Sequence, residues 1–250
     1  MIGAPRRAPV RIATLAVTLA VAGVLSAAPA QATTAAPTGA GEQLSDERTL
    51  TYWAHPVDRA PIRQRHAADA PSIVSTHLRT EDDFPEVYLV LRRWSDPNDR
   101  TWLKVRIPMR PNGKKGWVRE TALGPLYHVR KRLVVDRSSQ QATLYKRGRK
   151  IWSEPVGVGA PDTPTPAGNF WIREKFKTTD PGSLYGPVAF GTSAYSVLSE
   201  WPGGGVIGIH GTDQPSLIPG RPSHGCIRVK NDPVQRLYRL LPIGTPVLIR

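Results

Sequence analysis

Hydrophobic residues between positions 50 and 123 occur in short runs, several of which alternate with polar residues. Turn-forming stretches such as Pro111-Asn112-Gly113 separate runs at Ser72–Leu78, Val87–Arg92, Trp102–Ile107 and Gly116–Val118. Runs of this length, bounded by Pro, Asn and Gly, are typical of β-strands. Because the strands follow one another so closely, the pattern predicts a small β-barrel.

Residues 127–250 also contain short strand-like runs, together with one helical pattern. Asp232 is placed to cap a helix that has Pro233 at its first position and ends at Leu240. The expected strands cover residues 132–136, 142–145, 150–158, 170–176 and 245–250. The sequence therefore predicts a mainly β fold with one short helix near the end of the chain.

The first 30 residues have a different pattern. Arg6, Arg7 and Arg11 precede an apolar run over residues 12–25, and Ala28-Pro29-Ala30 follows with small residues. This order is that of a secretory signal peptide, and the apolar run is shorter than the roughly 20 residues that span a bilayer. We expect cleavage after this segment, with an uncleaved anchor as the alternative.

The remainder divides into a linker and two domains. Residues 31–49 begin with a stretch of Ala, Thr, Pro and Gly that has almost no large apolar side chain, which predicts a flexible linker. A first β domain is expected over residues 50–123 and a second over residues 127–250.

The charge balance is strongly basic. The chain carries 34 Lys and Arg against 20 Asp and Glu, a net charge of +14. Removal of the signal peptide takes away three arginines and no acid, which leaves +11. Such a charge favours anionic partners, and for an exported protein these are cell-wall polymers or anionic lipid. No nucleic-acid-binding motif accompanies the charge, so no nucleic-acid partner is expected.

Cys226 is the only cysteine of the chain, and two histidines lie near it, His210 sixteen positions before and His224 two before. A free thiol is mostly protonated at neutral pH, and an imidazole is the side chain best suited to take its proton. The cluster therefore predicts an activated nucleophile. A zinc site is the alternative, but paired ligands of the usual spacing and a fourth ligand are lacking, so neither metal nor cofactor is expected.

Gly225, directly before the thiol, gives the backbone a freedom that other residues lack. The amides of Gly225 and Cys226 are candidates to stabilise an oxyanion.

The segment Ser223-His224-Gly225-Cys226-Ile227-Arg228, with His210 upstream, resembles the signature of the L,D-transpeptidases, cysteine enzymes that cross-link peptidoglycan outside the cell. The stretch Thr163-Pro164-Thr165-Pro166-Ala167-Gly168-Asn169-Phe170 resembles a second segment of the same family. The resemblance covers about residues 127 to 250, and it implies a β-sandwich catalytic domain.

The resemblance also implies roles for single residues. Cys226 would attack the substrate carbonyl and form a thioester, with His210 as general base. The residues that would shape the site are Ser223, His224, Gly225, Gly211 and Arg228. The sequence departs from many members in a shorter segment between His210 and Ser223 and in Gly211, where some members have Ser.

The stretch from Thr178 to Gly205 is rich in Gly, Ser and Tyr and leads into His210. We interpret part of it as a flap over the site, with Tyr185, Tyr195 and Trp201 as candidate lining residues. A packing role is the alternative for each of the three.

The predicted function is that of a secreted peptidoglycan L,D-transpeptidase, an acyltransferase that transfers a stem peptide from Cys226 to the amine of a neighbouring stem and reacts with carbapenems. An L,D-carboxypeptidase would give the same thioester to water. A non-catalytic wall-binding protein is a third hypothesis.

The wall-binding hypothesis rests on the first domain. The stretches Trp102–Val105, Asn112-Gly113 and Gly116–Val118 resemble the closing hairpin of bacterial SH3-like domains, which often bind cell walls. This resemblance implies that the mature protein is associated with the cell wall.

Overall fold

The computed structural model describes residues 41–96, 100–200 and 202–250. The predicted signal peptide, residues 31–40 of the predicted linker and Trp201 lie outside the described residues. None of the helices in the described part of the chain has the length and apolar character needed to cross a membrane.

The N-terminal strands form a sheet of eight strands in the order β4-β3-β7-β6-β5-β2-β8, with β1 paired to β5. The strands are β1 (Glu42–Gln43), β2 (Thr51–Ala54), β3 (Pro61–Arg63), β4 (Ser72–Ser75), β5 (Tyr88–Ser95), β6 (Thr101–Arg106), β7 (Lys115–Arg119) and β8 (Tyr127–Val129). A short 3₁₀ helix, Glu120–Ala122, follows β7. That this sheet is an SH3-like domain stays a prediction.

The predicted hairpin between β6 and β7 is confirmed. The two strands are antiparallel, with Leu103 opposite Val118 and Lys104 opposite Trp117. Gly113, in the connecting turn, has a φ of 90°, a backbone region that glycine enters at little cost. The Pro-Asn-Gly pattern thus placed the turn correctly.

Two boundaries of the first sheet differ from the prediction. The predicted linker extended to residue 49, but Glu42–Gln43 forms a strand and the Asp46 carboxylate accepts hydrogen bonds from the amides of residues 48–50. At the other end, Tyr127–Val129 pairs with β2 and so belongs to the first sheet, although residue 127 was expected to begin the second domain. Both segments are short and polar, so hydrophobic periodicity does not detect them.

The second sheet contains ten strands in the order β11-β10-β9-β18-β13-β14-β15-β17-β12-β16. The strands are β9 (Lys131–Asp136), β10 (Gln141–Lys146), β11 (Arg149–Pro155), β12 (Gly157–Gly159), β13 (Gly168–Lys177), β14 (Val188–Tyr195), β15 (Val206–His210), β16 (Gly220–Ser223), β17 (Ile227–Arg228) and β18 (Pro246–Ile249). Two 3₁₀ helices, Pro202–Gly205 and Pro215–Leu217, flank β15. The predicted mainly β fold is confirmed.

One hydrophobic core joins distant parts of this sheet. Leu144 of β10, Phe190 of β14 and Ile227 of β17 belong to the same buried cluster. The sheet therefore folds over on itself around shared apolar side chains, as a β-sandwich does.

The helix α1 (Asn231–Leu240) packs on this core through Val234 and Leu237, which lie three residues apart on one helical face. Its end was predicted correctly. Its beginning was not, because the N-cap is Lys230 and Asp232 lies within the first turn without capping it.

The two sheets contact each other through buried polar groups. Arg173 of β13 forms a bidentate ion pair with Glu86, whose side chain is fully buried, and a second pair with Glu81 at 2.9 Å. The indole of Trp171 donates a hydrogen bond to the carbonyl of Val87 at 2.8 Å. Because a buried charge without its partner is strongly destabilising, these pairs make the relative position of the two sheets specific.

Candidate active site

The pairing of two neighbouring strands brings the predicted nucleophile and base together. Strands β15 and β17 are parallel, with Ile209 opposite Ile227. Cys226, directly before β17, thus lies beside Gly208 of β15, and the Gly208 amide donates a hydrogen bond to Cys226 Sγ at 3.3 Å. His210 is two residues beyond Gly208 and therefore lies on the same face of the sheet.

The absence of a side chain at Gly208 leaves room between the thiol and the imidazole. A methyl group at this position would lie 3.7 Å from Cys226 Sγ and 3.5 Å from His210 Cδ2. The edge of the imidazole that carries Cδ2 and the thiol therefore both border the space above Gly208.

The other ring nitrogen sets the tautomer of His210. Nδ1 lies 2.7 Å from the carbonyl oxygen of Gly211, which accepts a hydrogen bond only from a protonated nitrogen. At neutral pH Nε2 therefore carries the lone pair. Burial lowers the pKa of His210 to about 4, and the Arg228 charge acts in the same direction, whereas the bond to Gly211 opposes it.

The thiol is neutral in the resting site. Burial raises the pKa of Cys226, although the Gly208 amide and the positive charge of Arg228 favour the thiolate. Because the thiol pKa is raised and the imidazole pKa is lowered, the resting site contains a protonated Cys226 thiol and a neutral His210 imidazole. The arrangement suits general-base removal of the thiol proton during attack better than a preformed ion pair.

A network of short hydrogen bonds holds the turn before the thiol. The hydroxyl of Ser223 donates to the carbonyl of Cys226 at 2.6 Å and accepts from the Gly225 amide at 3.2 Å. Gly225 has a φ of 123°, in the region that favours glycine. The predicted oxyanion role of the Gly225 amide is thus opposed by its bond to Ser223, and the Cys226 amide is the remaining candidate.

Thr165 connects this turn to the second family-like segment. Its hydroxyl donates to the Gly225 carbonyl at 2.7 Å and accepts from the Gly159 amide at 2.8 Å, and the side chain is 1% exposed. The segment containing Thr165 was noticed in the sequence, but the role of this hydroxyl was not.

Arg228 and His224 flank the thiol differently. Arg228 is buried, lies opposite His210 in the β15–β17 pairing, and donates a hydrogen bond to Gln214 at 3.2 Å. His224 is exposed, and its carbonyl accepts a hydrogen bond from Ser196 at 3.4 Å.

Gly211 permits a close approach behind His210. A methyl group on Gly211 would lie 2.4 Å from Asn231 Oδ1 and 3.0 Å from Gly186 Cα. Asn231 also accepts a hydrogen bond from the Thr212 amide at 2.8 Å. The sequence pattern predicts a cap at Asp232 and gives no sign of the role of Asn231, whose contacts depend on tertiary structure.

The thiol and imidazole open into a cavity of about 420 Å³. Its floor is built from two rows of paired residues across β13, β14 and β15. In one row Glu174 is opposite Gly191, which is opposite Gly208, and in the other Phe176 is opposite Ala189, which is opposite His210. The small residues of β14 create the trough, with Cys226 and His210 along one side.

The three predicted flap residues have different positions. Tyr185 lines the cavity, and its ring meets that of His210 edge-on with centroids 4.9 Å apart. Tyr195 is 7% exposed and its hydroxyl contacts Glu81, so it is a packing residue between the sheets and the flap prediction for it is wrong. Trp201 lies outside the described residues.

The C-terminal part of the chain is similar to known proteins. Residues 130–249 match the family model of the L,D-transpeptidase catalytic domain, also called YkuD. The L,D-transpeptidases are acyltransferases.

Individual L,D-transpeptidases match the same part of the chain. YkuD of Bacillus licheniformis, assigned to this class by name, is 34% identical over 118 residues, which are 47% of this chain and 64% of that protein. YkuD of Bacillus subtilis is 32% identical over 123 residues, 49% of this chain and 65% of that protein. The crystal structure of an Enterococcus faecium L,D-transpeptidase is 28% identical, covers 48% of this chain and 49% of its own, and has a TM-score of 0.38.

The chain spans slightly less than two thirds of each of these two Bacillus relatives. The L,D-transpeptidase match includes Cys226, His210 and the whole cavity floor, but it does not include the first sheet. Asp82 and Phe84, which also line the cavity, lie in the loop between β4 and β5 of that first sheet.

Proposed function

We propose that the protein is a peptidoglycan L,D-transpeptidase whose nucleophile is Cys226 and whose general base is His210. The observation that carries this proposal is the position of both groups beside Gly208, at the edge of one cavity. The match of residues 130–249 to the L,D-transpeptidase catalytic domain supports it.

In the first step, Nε2 of His210 takes the proton of Cys226 as Sγ attacks the carbonyl that links a diamino acid to the terminal D-residue of a stem peptide. The Cys226 amide stabilises the oxyanion. The amide bond then breaks, His210 returns the proton to the leaving amine, and a thioester remains on Cys226.

In the second step, the amine of a neighbouring stem attacks the thioester and gives its proton to His210. The carbon–sulfur bond breaks, the sulfur takes the proton back, and a cross-link between two diamino acids is released. Dividing one amide exchange into two steps lowers each barrier, and base catalysis by His210 contributes about 10² to 10⁴-fold.

The decisive experiment measures the mass of the intact protein after incubation with a tetrapeptide donor or a carbapenem. We expect one adduct on the native protein and none on Cys226→Ala. His210→Ala is expected to slow adduct formation about 10² to 10⁴-fold. The absence of an adduct on the native protein with both reagents would refute the mechanism.

A second measurement separates transfer to an amine from transfer to water. The acyl-enzyme formed with the tetrapeptide is divided into two samples, one in buffer alone and one in buffer with an amine acceptor. The masses of the released products are then measured by mass spectrometry. A cross-linked product is expected with the acceptor, whereas tripeptide alone in both samples would indicate a carboxypeptidase.

We also propose export of the protein and association with the cell wall, on the basis of the predicted signal peptide and the net charge of +11 after its removal. The first sheet is proposed to act as an SH3-like wall-binding part. Export is tested by the N-terminal sequence of the protein recovered from culture, which is expected to begin near Gln31. Wall association is tested by sedimentation with purified cell wall, which is expected to carry the protein down.

A further inference from the structure

The trough next to the thiol has a carboxyl group, that of Glu174, on the side opposite Cys226, and the proposed chemistry does not use this group. Glu174 lies across Gly191 and Gly208 from Cys226, in the same row of paired residues. A methyl group on Gly191 would come within 2.1 Å of Glu174 Oε1, so the carboxyl group lies directly over this glycine. Only backbone separates the carboxyl from the thiol along this row.

Glu174 is buried without a basic partner. The residue is 3% exposed, and Oε2 accepts a hydrogen bond from the Thr80 hydroxyl at 2.7 Å. Among the described residues, no Lys, Arg or His lies within ion-pair distance of Glu174, because neighbouring Arg173 is paired with Glu86 and Glu81. A buried carboxylate of this kind is costly unless a cation reaches it.

The ionisation of Glu174 fits a carboxyl group that can accept a cation. Burial raises the pKa of Glu174 to about 7, and the nearby Asp82 carboxylate adds to this effect, whereas the Thr80 hydroxyl and the charge of Arg173 oppose it. Where two carboxyl groups face one cavity, their like charges favour protonation of one of them, and a positively charged ligand in the cavity would displace that proton.

An apolar wall lies beside the carboxyl groups. The rings of Phe84, from the loop between β4 and β5, and Phe176, from β13, are stacked with centroids 5.7 Å apart, and both line the cavity. Phe176 is two residues from Glu174 on the same face of β13. An apolar surface that ends at a carboxyl pair fits a chain of methylene groups with a positive charge at its end.

The spacing limits the length of that chain. Gly191 and Gly208 are on adjacent strands, whose backbones are about 4.8 Å apart. A carbonyl carbon in contact with Cys226 Sγ and an ammonium group in contact with Glu174 are therefore separated by only a few methylene groups. This is the separation found in the side chain of a diamino acid.

We propose that Glu174, with Asp82, binds the aliphatic ammonium group of the donor peptide and so selects a diamino acid with a free side-chain amine. Asp82 lies in the loop between β4 and β5, outside the L,D-transpeptidase match, so the N-terminal part of the chain completes the substrate site. The inference deepens the proposed function and rests on it for the identity of the peptide, but cation binding in the trough is tested without any turnover.

The first test measures the rate at which iodoacetamide alkylates Cys226 in the full chain at neutral pH. Pentylamine and pentanol, at the same concentration, serve as charged and uncharged competitors of equal chain length. We expect pentylamine to slow alkylation several-fold more than pentanol. Glu174→Gln, which keeps the size of the side chain, is expected to abolish that difference.

Two further variants control for changes in the fold. Asp82→Asn alters an exposed residue and is expected to reduce the preference for pentylamine without unfolding the protein. Glu154→Gln removes a carboxylate that pairs with Arg236 outside the cavity, and is expected to keep the full preference. Equal protection by the amine and the alcohol in the native protein, or an unchanged preference in both Glu174→Gln and Asp82→Asn, would overturn the inference.

The second test compares two donor tetrapeptides, one with a free side-chain amine and one with this amine acetylated. Acylation of the native protein is expected to be on the order of tenfold faster with the free amine, and this ratio is expected to fall to about one in Glu174→Gln. Equal acylation by both peptides would overturn the inference while leaving the proposed function intact. Failure of both peptides to acylate would count against the proposed function, and the alkylation test would still decide the inference.

Discussion

The Gly208 amide donates a hydrogen bond to Cys226 Sγ across two parallel strands, at 3.3 Å. The relationship places the nucleophile by main-chain pairing, so its position does not depend on a flexible side chain. A side chain at residue 208 would therefore reach both the sulfur and the His210 ring.

Gly208→Ala is therefore expected to fold and to lose activity. The added methyl group would make ordinary contacts at 3.5 and 3.7 Å, so the melting temperature should change little, but it would occupy the space that the carbonyl needs. We expect acylation by a donor peptide to slow about tenfold or more. Gly182→Ala, in an open loop, is the matched control and should acylate normally, and an unchanged rate in Gly208→Ala would contradict this account of the site.

The thiol should be protonated at neutral pH. Because burial raises the pKa of Cys226 and lowers that of His210 to about 4, thiolate absorbance in the ultraviolet should appear only at alkaline pH. The alkylation rate should rise with pH in the same range. Cys226→Ala supplies the baseline, and thiolate absorbance already complete at neutral pH would show a preformed ion pair instead.

His210 should make stability depend on pH in acid. Its pKa is lowered from 6.5 to about 4 in the folded protein, so between these values the unfolded chain binds the extra proton. The stabilisation is complete above pH 6.5. It falls by about 3 kcal/mol as the pH decreases to 4, at 1.36 kcal/mol for each unit.

The measurement compares denaturant unfolding of the native protein and His210→Gln across this pH range. The difference in unfolding free energy should shrink or reverse as the pH falls. Parallel curves for the two proteins would show that His210 is not buried in its neutral form.

Thr165→Val should affect both stability and catalysis. The substitution preserves shape but leaves the Gly225 carbonyl and the Gly159 amide without their buried partner, which costs about 1–3 kcal/mol for such groups. Because Gly225 precedes the nucleophile, acylation should slow as well. Thr143→Val, which removes a partly exposed hydroxyl contact with Ser153, is the control and should change neither property strongly.

The parts of the site that were predictable from sequence are local. Cys226, Ser223 and Gly225 lie within four residues, and a lone thiol beside histidines has a chemical meaning that needs no fold. The sequence offers two candidate bases, His210 and His224, and the resemblance to a family selects His210. The structure places it next to the thiol through the β15–β17 pairing, which the residues alone do not specify.

The rest of the site depends on contacts between distant segments. In the sequence, Gly208 and Gly191 have no feature that marks them, because their position beside the thiol depends on the sheet register. Asn231 likewise contacts the site only because α1 packs behind Gly211. Tyr195 belongs to a stretch rich in Gly, Ser and Tyr that predicts a flap, but it is buried and its hydroxyl contacts Glu81 of the β4–β5 loop.

For the fold, strand positions followed from hydrophobic runs and turn residues, whereas segment ends did not. The short strand Glu42–Gln43 forms by pairing with β5, and the helix begins at Asn231 after an N-cap, Lys230, whose side chain makes no capping hydrogen bond.

The stacked pair of Phe84 and Phe176 has a practical consequence for work with fragments. A shortened protein that begins after the first sheet would keep the sulfur and the imidazole but would expose one ring of this pair to water and open the trough on that side. Such a fragment would be a poor surrogate for inhibitor screening, because compounds selected on it would be fitted to a half-open site.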